Sequence, residues 1–104
     1  MSILTINSQN YEEEVLKADK PVLIDFYADW CGPCRAMSGV IDNIAEEKQD
    51  VKVGKINVDE NQDLAMEYGV MSIPTIMIFK NGEVQKTFVG VREKNEIIGA
   101  LEGI

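Results

Sequence analysis

Histidine is absent from this 104-residue sequence, and cysteine occurs only twice. The absence of histidine removes the commonest general base and the commonest metal ligand of proteins. A structural zinc ion needs four ligands, and the two cysteines of one chain supply only half of them. Only a dimer bridged by metal could complete such a site, so the sequence predicts no metal centre.

Positive charge is also scarce, because 10 lysine and arginine residues face 18 aspartate and glutamate residues and leave a net charge of −8. This balance disfavours nucleic acid and anionic membrane surfaces as partners. Residues 1–6 lack the basic and apolar regions of a leader, and no apolar run approaches the ~18 residues of a membrane span. We therefore expect a cytoplasmic monomer, in a reducing compartment where structural disulfides do not persist.

The length and the apolar fraction of 45% predict one globular domain over residues 1–104. The segment 22–28 is apolar on both faces except at Asp25, which is typical of a central strand covered on both sides in an α/β protein. Hydrophobic periodicity predicts strands at 3–6, 22–28, 51–58, 75–80 and 83–89, and helices at 11–16, 34–48 and 93–101. A short third helix is predicted to run through Leu64, Ala65 and Tyr68.

Four short signals predict where these elements begin and end. Asn7 or Ser8 is expected to cap the first helix, and Asp59 or Asn61 the third. Gly69 is expected to end the third helix. The pair Asn81-Gly82 predicts a tight hairpin between the last two strands.

Both cysteines and the only tryptophan lie in the segment Trp30-Cys31-Gly32-Pro33-Cys34, between a strand and a helix. Cysteines at i and i+3 in a first helical turn meet the ~4.4–6.8 Å Cα separation of a disulfide. Pro33 suits the first helical position and keeps Gly32 outside the helix. The spacing therefore predicts a reversible redox centre.

The two cysteines are expected to differ in reactivity. A helix N-terminus stabilises negative charge by about 0.3–1 kcal/mol, or about 2 when partly buried, which lowers the pKa of Cys31 by roughly one unit from about 8.5. Cys31 is thus the expected nucleophile, whereas Cys34 lies one turn further in and is expected to be more buried, as the resolving thiol. A purely stabilising disulfide is disfavoured because a four-residue loop contributes only about 2 kcal/mol, against about 4.7 for a 100-residue loop.

These residues together resemble the thioredoxin family. The resemblance rests on the pentapeptide after the Asp25 strand, on Ile73-Pro74-Thr75 before another strand, on the Asn81-Gly82 hairpin and on Val89-Gly90, and it runs from Ile3 to the C-terminus. It implies a central mixed five-stranded sheet flanked by four helices, in the order β-α-β-α-β-α-β-β-α. It also implies a protein disulfide reductase that works through its own Cys31–Cys34 disulfide without a cofactor.

The resemblance also implies roles for residues outside the pentapeptide. Asp25 would transfer the proton of the resolving thiol through water, and burial in an apolar strand would raise its pKa toward that of a working base. The alternative is a solvent-facing residue on a half-exposed strand. Lys55 would lie near Asp25, and the alternative there is plain surface charge.

A docking surface is implied as well. Pro74 would be a cis-proline facing the disulfide, and Ile73 would offer its backbone to an extended substrate segment. An apolar patch around Cys31 would consist of Trp30, Gly32, Pro33, Ile73, Val89 and Gly90.

The sequence departs from the family pattern at three places. Gly39 stands where a proline is usual, and Tyr27 where many members have a second tryptophan. Met71-Ser72 precede Ile73 where arginine or glycine is common, which leaves partner selectivity at that edge open.

The implied partners are a thioredoxin reductase, of the NADPH–flavin or ferredoxin type, and disulfide-bearing targets such as ribonucleotide reductase, methionine sulfoxide reductase and peroxiredoxins. Two other functions stay open at this stage. One is an oxidase or isomerase of the same fold, although these often carry histidine where this chain has Pro33. The other is a non-catalytic subunit of a larger complex, against which the intact Cys31, Cys34 and Asp25 argue.

Overall fold

The computed structural model describes residues 3–104, so Met1 and Ser2, the start of the segment in which no leader is expected, lie outside it. The strands are β1 (Leu4–Thr5), β2 (Val22–Tyr27), β3 (Lys52–Asn57), β4 (Thr75–Lys80) and β5 (Glu83–Val89). The helices are α1 (Glu12–Leu16), α2 (Gly32–Glu47), α3 (Gln62–Glu67) and α4 (Lys94–Glu102). The predicted order of elements is confirmed, and the predicted bounds differ by one or two residues at most ends.

The strands form one mixed sheet in the order β1-β3-β2-β4-β5. Strands β1, β3 and β2 run parallel to one another, whereas β4 runs antiparallel to β2, and β5 antiparallel to β4. The central position predicted for β2 is confirmed. Because β2 is paired on both sides, its carboxyl end meets the amino end of β4, where Phe26 lies opposite Thr75.

Each face of the sheet has its own hydrophobic core. Leu23 points to the face covered by α2 and α4, where it packs in a cluster with Met37, Ile41 and Ile97. Ile24 points to the opposite face, which is covered by α1 and α3. Successive side chains of a strand alternate between faces, so Asp25 shares the face of Leu23. The functional helix α2 is therefore held directly over Asp25.

Helix α1 is wider than an α-helix, because the Lys17 N–H donates to the carbonyl oxygen of Glu12, five residues earlier, at 3.0 Å. The cap predicted at Asn7 is not made on this helix, whose N-cap position is held by Tyr11 without a side-chain capping bond. Asn7 Oδ1 instead accepts the N–H groups of Gln9 and Asn10 at 2.9 Å each, in the turn before the helix. Ser8 does not cap this helix. Its hydroxyl instead donates to the Asp63 carboxylate at 2.7 Å, a partner that its local sequence does not indicate.

Helix α3 has Asn61 at its N-cap position, but the side chain makes no capping bond. It donates to the Asn57 carbonyl at 3.0 Å and accepts the Ser8 N–H at 3.0 Å, so tertiary contacts replace the predicted cap. The predicted end of the helix is confirmed. Gly69 adopts φ 65°, and the N–H groups of Gly69 and Val70 bond the carbonyls of Met66 and Ala65.

The hairpin predicted at Asn81-Gly82 is also confirmed. Both residues have positive φ, 54° and 79°, as a two-residue turn that follows the strand twist requires. Between Ile78 and Phe79 the pairing with β5 shifts by one residue, so that the register passes over Gln85. This β-bulge lies in the hairpin half that is remote from the pentapeptide.

Candidate active site

The pentapeptide forms the junction between β2 and α2, and Cys31 and Cys34 are joined there by a disulfide with a Cα separation of 5.3 Å. Helix α2 begins at Gly32, two residues earlier than predicted, so the expectation that Pro33 keeps Gly32 outside the helix is wrong. The reason is that Cys31 takes the N-cap position itself. Its Sγ accepts the Cys34 N–H at 3.2 Å, as a capping oxygen would in other helices.

The two cysteines are equally buried, with 4% of each residue exposed. The expectation that Cys34 is the more buried of the two is therefore wrong for this disulfide-bonded form. Cys31 is covered because Ile73 packs against the disulfide, and the Ile73 carbonyl oxygen lies 3.9 Å from Cys31 Sγ. Gly32 and Pro33, by contrast, are exposed.

Four of the predicted docking residues lie together beside the disulfide. The Ile73-Pro74 peptide bond is cis, as the resemblance implied. The Gly90 N–H donates to the Pro74 carbonyl at 2.8 Å, and Val89 lies opposite Thr75 in the sheet. Val89 is 52% exposed, Ile73 is half-buried, and Pro74 is buried. The fold thus joins two segments that are distant in sequence into one rim beside Cys31.

Trp30 directly precedes Cys31 and is 70% exposed. Its indole Nε1 donates to Asp59 Oδ2 at 2.8 Å, which fixes the ring of an otherwise free side chain. The sequence marked Asp59 only as a possible helix cap. Nothing in the local pattern connects it to a tryptophan 29 positions earlier.

A cavity of about 180 Å³ lies beneath the disulfide on the α2 face of the sheet. This volume has room for water, and the walls offer the polar partners that water needs. The cavity is lined by Asp25, Tyr27, Ala28, Asp29, Cys34, Arg35, Ser38 and Lys55.

Asp25 is 1% exposed, so the alternative of a solvent-facing residue is wrong. Burial raises the pKa of Asp25 from 3.8 to about 6, while the nearby Lys55 ammonium lowers it and the Asp42 carboxylate adds to the rise. Its Oδ1 atom has no hydrogen-bond partner among the residues that the structure describes. A buried carboxylate that lines a cavity and has a raised pKa can exchange a proton there.

Lys55 lies opposite Asp25 in the parallel register of β2 and β3, as expected. It is half-buried, and its ammonium donates to Ser38 Oγ at 2.7 Å and lies 5.9 Å from the centre of the Tyr27 ring. Plain surface charge is therefore the wrong description. Ser38, like Asp42 and Arg35, was not singled out from the sequence, although all three follow Cys34 on α2.

Known proteins match this arrangement over nearly its whole length. The family model "Thioredoxin" matches residues 2–103. The chain is 49% identical over 94 residues to the thioredoxin of Rickettsia felis, covering 89% of this chain and 90% of the relative. It is 46% identical over 101 residues to that of Pseudomonas aeruginosa, covering 96% and 94%, and 48% identical over 102 residues to that of Porphyra purpurea, covering 97% and 95%.

The chain belongs to the thioredoxin family. As a thioredoxin-family member with a redox-active Cys31–Cys34 pair, it is a protein disulfide oxidoreductase that acts by dithiol–disulfide exchange. Gly39, which stands where the family usually has a proline, lies inside an unbroken α2. Tyr27 stays half-buried at the cavity wall, and Met71 is 95% exposed just before Ile73.

Two further observations concern residues 3–104, the part of the chain that the structure describes. That part of the chain contains no cluster of three or more cysteine and carboxylate side chains arranged to hold a metal ion. Nor does any helix in it combine the length and the apolar character needed to cross a membrane.

Proposed function

We propose that the protein is a general disulfide reductase in which Cys31 is the nucleophile and Cys34 the resolving thiol. One observation carries this assignment. Cys31 sits at the N-cap of α2 beside the exposed rim, whereas Cys34 lines the cavity that contains Asp25. The two sulfurs thus have different neighbours, a docking surface in one case and a base in the other.

In the first step, the Cys31 thiolate attacks one sulfur of a target disulfide. A mixed disulfide forms between Cys31 and the target, and the second target sulfur leaves as a thiolate. The Cys34 N–H, 3.2 Å from Cys31 Sγ, supports this chemistry because a backbone donor at a helix N-terminus stabilises an anionic sulfur.

In the second step, Cys34 loses its proton to Asp25, through water in the cavity, and attacks Cys31 Sγ. The Cys31–Cys34 disulfide forms again, the bond to the target breaks, and the target leaves with two electrons more than before. Its two thiolates take up protons, one returned by Asp25 through water and one from solvent. Asp25 suits the role of base because its pKa of about 6 leaves it ionised at neutral pH while keeping it basic enough to accept a proton.

Targets would dock on the rim around Cys31. An extended target segment would bond the backbone of Ile73, which Pro74 holds beside the sulfur, in the manner of an added strand. Trp30, Gly32, Pro33, Val89 and Gly90 would form the apolar surface on either side. The exposure of Trp30 and Val89 supports this, since apolar side chains grouped at a reactive site mark a protein-binding surface.

The cycle closes when a thioredoxin reductase returns two electrons to the disulfide. We propose that this carrier works in the cytoplasm as a monomer with one domain over residues 1–104, without a cofactor, metal, nucleic acid or membrane partner. Its targets would include enzymes of the ribonucleotide reductase, methionine sulfoxide reductase and peroxiredoxin types. The reductase would be of the NADPH–flavin or the ferredoxin type.

Replacing the resolving thiol tests the assignment of roles. A Cys34→Ser variant, mixed with insulin or with native cell extract, should accumulate a covalent adduct that dithiothreitol releases. The matched Cys31→Ser variant should form no adduct and should fail to reduce insulin. Adducts that form through Cys34 in the Cys31→Ser variant would reverse the roles, and an active Cys31→Ser variant would favour a non-catalytic subunit.

A further inference from the structure

Lys55 is bound to the helix above it rather than to the carboxylate beside it. Asp25 and Lys55 are direct neighbours in the parallel pair of β2 and β3, with their side chains on the same face of the sheet. The Lys55 ammonium nevertheless donates to the Ser38 hydroxyl, at 2.7 Å. Within residues 3–104, Asp25 Oδ1 is left without a hydrogen-bond partner.

Opposite charges that line one small cavity would be expected to approach each other. Their attraction grows steeply as the local dielectric falls, and an ion pair would give Asp25 the partner that it lacks. The neutral hydroxyl of Ser38 is the group that the ammonium contacts instead. Ser38 lies one helical turn beyond Cys34 on the same face of α2, so it reaches into the cavity between the disulfide and Lys55.

We propose that Ser38 is a positioning residue, whose hydroxyl holds the Lys55 ammonium away from the Asp25 carboxylate and keeps the two from closing into an ion pair. The inference rests on the proposed function of Asp25 as the base for Cys34, since it explains how that base stays available. A carboxylate locked to an ammonium would accept a proton less readily, because the neighbouring positive charge favours its ionised form.

Other charged groups surround Asp25, and they do not replace Lys55 in this role. Arg35, the other cationic side chain of the cavity wall, is exposed and donates to the Asp29 carbonyl at 3.2 Å. Titratable or charged groups face Asp25 from four elements. They are Tyr27 of β2, Asp29 of the loop after β2, Lys55 of β3, and Arg35, Asp42 and the reduced Cys34 of α2. Of these, only Lys55 is both cationic and adjacent in register.

The titration of Asp25 in the disulfide form tests the proposal. The pKa would be measured by carbon-13 NMR of the carboxyl groups, with Asp25→Asn to assign the resonance. In Ser38→Ala the ammonium loses its acceptor, and we expect the pKa of Asp25 to fall by about one unit as the ion pair closes. Ser38→Thr, which keeps the hydroxyl, should titrate like the unaltered protein. Asn43→Ala, at an exposed position of the same helix, is the matched control.

A double-mutant cycle shows whether Ser38 acts through Lys55. Lys55→Met should raise the pKa of Asp25, and adding Ser38→Ala to Lys55→Met should change it no further. An unchanged or higher pKa in Ser38→Ala overturns the proposal, as does an equal effect of Ser38→Ala with and without Lys55.

The same variants separate this proposal from the proposed function. The pH dependence of the second step would be followed by stopped flow as target release from the mixed disulfide. If the pKa of Asp25 and the midpoint of this profile both fall in Ser38→Ala, both proposals are supported. If the pKa falls and the profile does not move, Ser38 positions Lys55 as proposed, but Asp25 is not the base.

Discussion

The Sγ atom of Cys31 lies 3.9 Å from the carbonyl oxygen of Ile73, although 42 positions separate the two residues in the sequence. The antiparallel pairing of β2 and β4 produces this contact, because the carboxyl end of β2 leads into Cys31 and the amino end of β4 follows Pro74. The reactive sulfur and the Ile73 carbonyl are therefore fixed to neighbouring strands.

Replacing Val89 should impair docking without impairing the chemistry. A Val89→Asp variant puts a charge into the apolar rim, and we expect kcat/KM for insulin reduction to fall about tenfold, equivalent to about 1.4 kcal/mol. Val84→Asp is the matched control, since Val84 is 40% exposed on the same strand but lies at the hairpin end, opposite Phe79. Equal losses in the two variants, or an equal loss toward a small aromatic disulfide, would contradict a docking role for Val89.

Removing the hydrogen bond between Trp30 and Asp59 should make the indole ring beside Cys31 more mobile. In Asp59→Ala the indole loses its acceptor, and a net hydrogen-bond contribution of about 0.5–1.5 kcal/mol predicts a KM roughly twofold to tenfold higher for a protein target. Because Trp30 is the only tryptophan, its fluorescence anisotropy reports the mobility of the ring directly and should fall. Glu60→Ala, at the exposed neighbouring position, should leave both quantities unchanged. An unaltered anisotropy in Asp59→Ala would show that other contacts hold the ring.

Asp25 should make stability depend on pH. The folded protein binds the Asp25 proton more tightly than the unfolded chain, because burial raises the pKa from 3.8 to about 6. This contribution to stability is present in full below the unfolded pKa and is lost as the pH rises through about 6. A difference of about two pKa units corresponds to about 3 kcal/mol at pH 7.

An Asp25→Asn variant should therefore unfold at higher urea than the unaltered protein at pH 7, by about 3 kcal/mol in the free energy of unfolding. The difference should become small near pH 4, where the native carboxyl is protonated. Asp19→Asn, at an exposed position of the loop before β2, provides the comparison for the loss of one surface charge. A stability gain that is the same at both pH values would mean that Asp25 does not titrate as described.

Two glycines should respond to alanine in opposite directions. A Cβ at Gly39 would meet no neighbouring atom within 4 Å, so Gly39→Ala should raise the free energy of unfolding by about 1 kcal/mol through helix propensity. A Cβ at Gly54 would lie 2.7 Å from Ile6 Cγ1, so Gly54→Ala should lower it by about 1–3 kcal/mol. Urea unfolding measures both changes. A destabilised Gly39→Ala would show that α2 needs glycine there for a reason other than space.

The features that the sequence predicted best are those determined by local chemistry. The turn at Asn81-Gly82 and the helix end at Gly69 each need positive φ, and asparagine and glycine adopt it at little cost. The burial of Asp25 followed from its position within an apolar strand. The redox centre followed from the spacing of two cysteines across a helix start.

The features that the sequence did not reveal depend on contacts between distant segments. Ser8 and Asn61 are residue types that often cap helices, but here they join two distant segments. The Ser8 N–H donates to Asn61 Oδ1, and the Ser8 hydroxyl donates to the Asp63 carboxylate. Cys31 is buried by contact with Ile73, which is 42 positions away in the sequence. The position of Cys31 at a helix start does not indicate this contact. Ser38 and Asp59 are ordinary polar residues in their own segments, and only the tertiary structure places them against Lys55 and Trp30.

The bulge at Ile78/Phe79 has a consequence for how this protein meets others. Strand β5 ends the sheet, and an unpaired strand edge is a template on which a second chain can aggregate. The register shift distorts that edge, and exposed Glu83 and Lys86 place charges along it. The bulge and these charges therefore disfavour strand addition along β5, whereas we propose that targets bind through the backbone of Ile73 beside the sulfur.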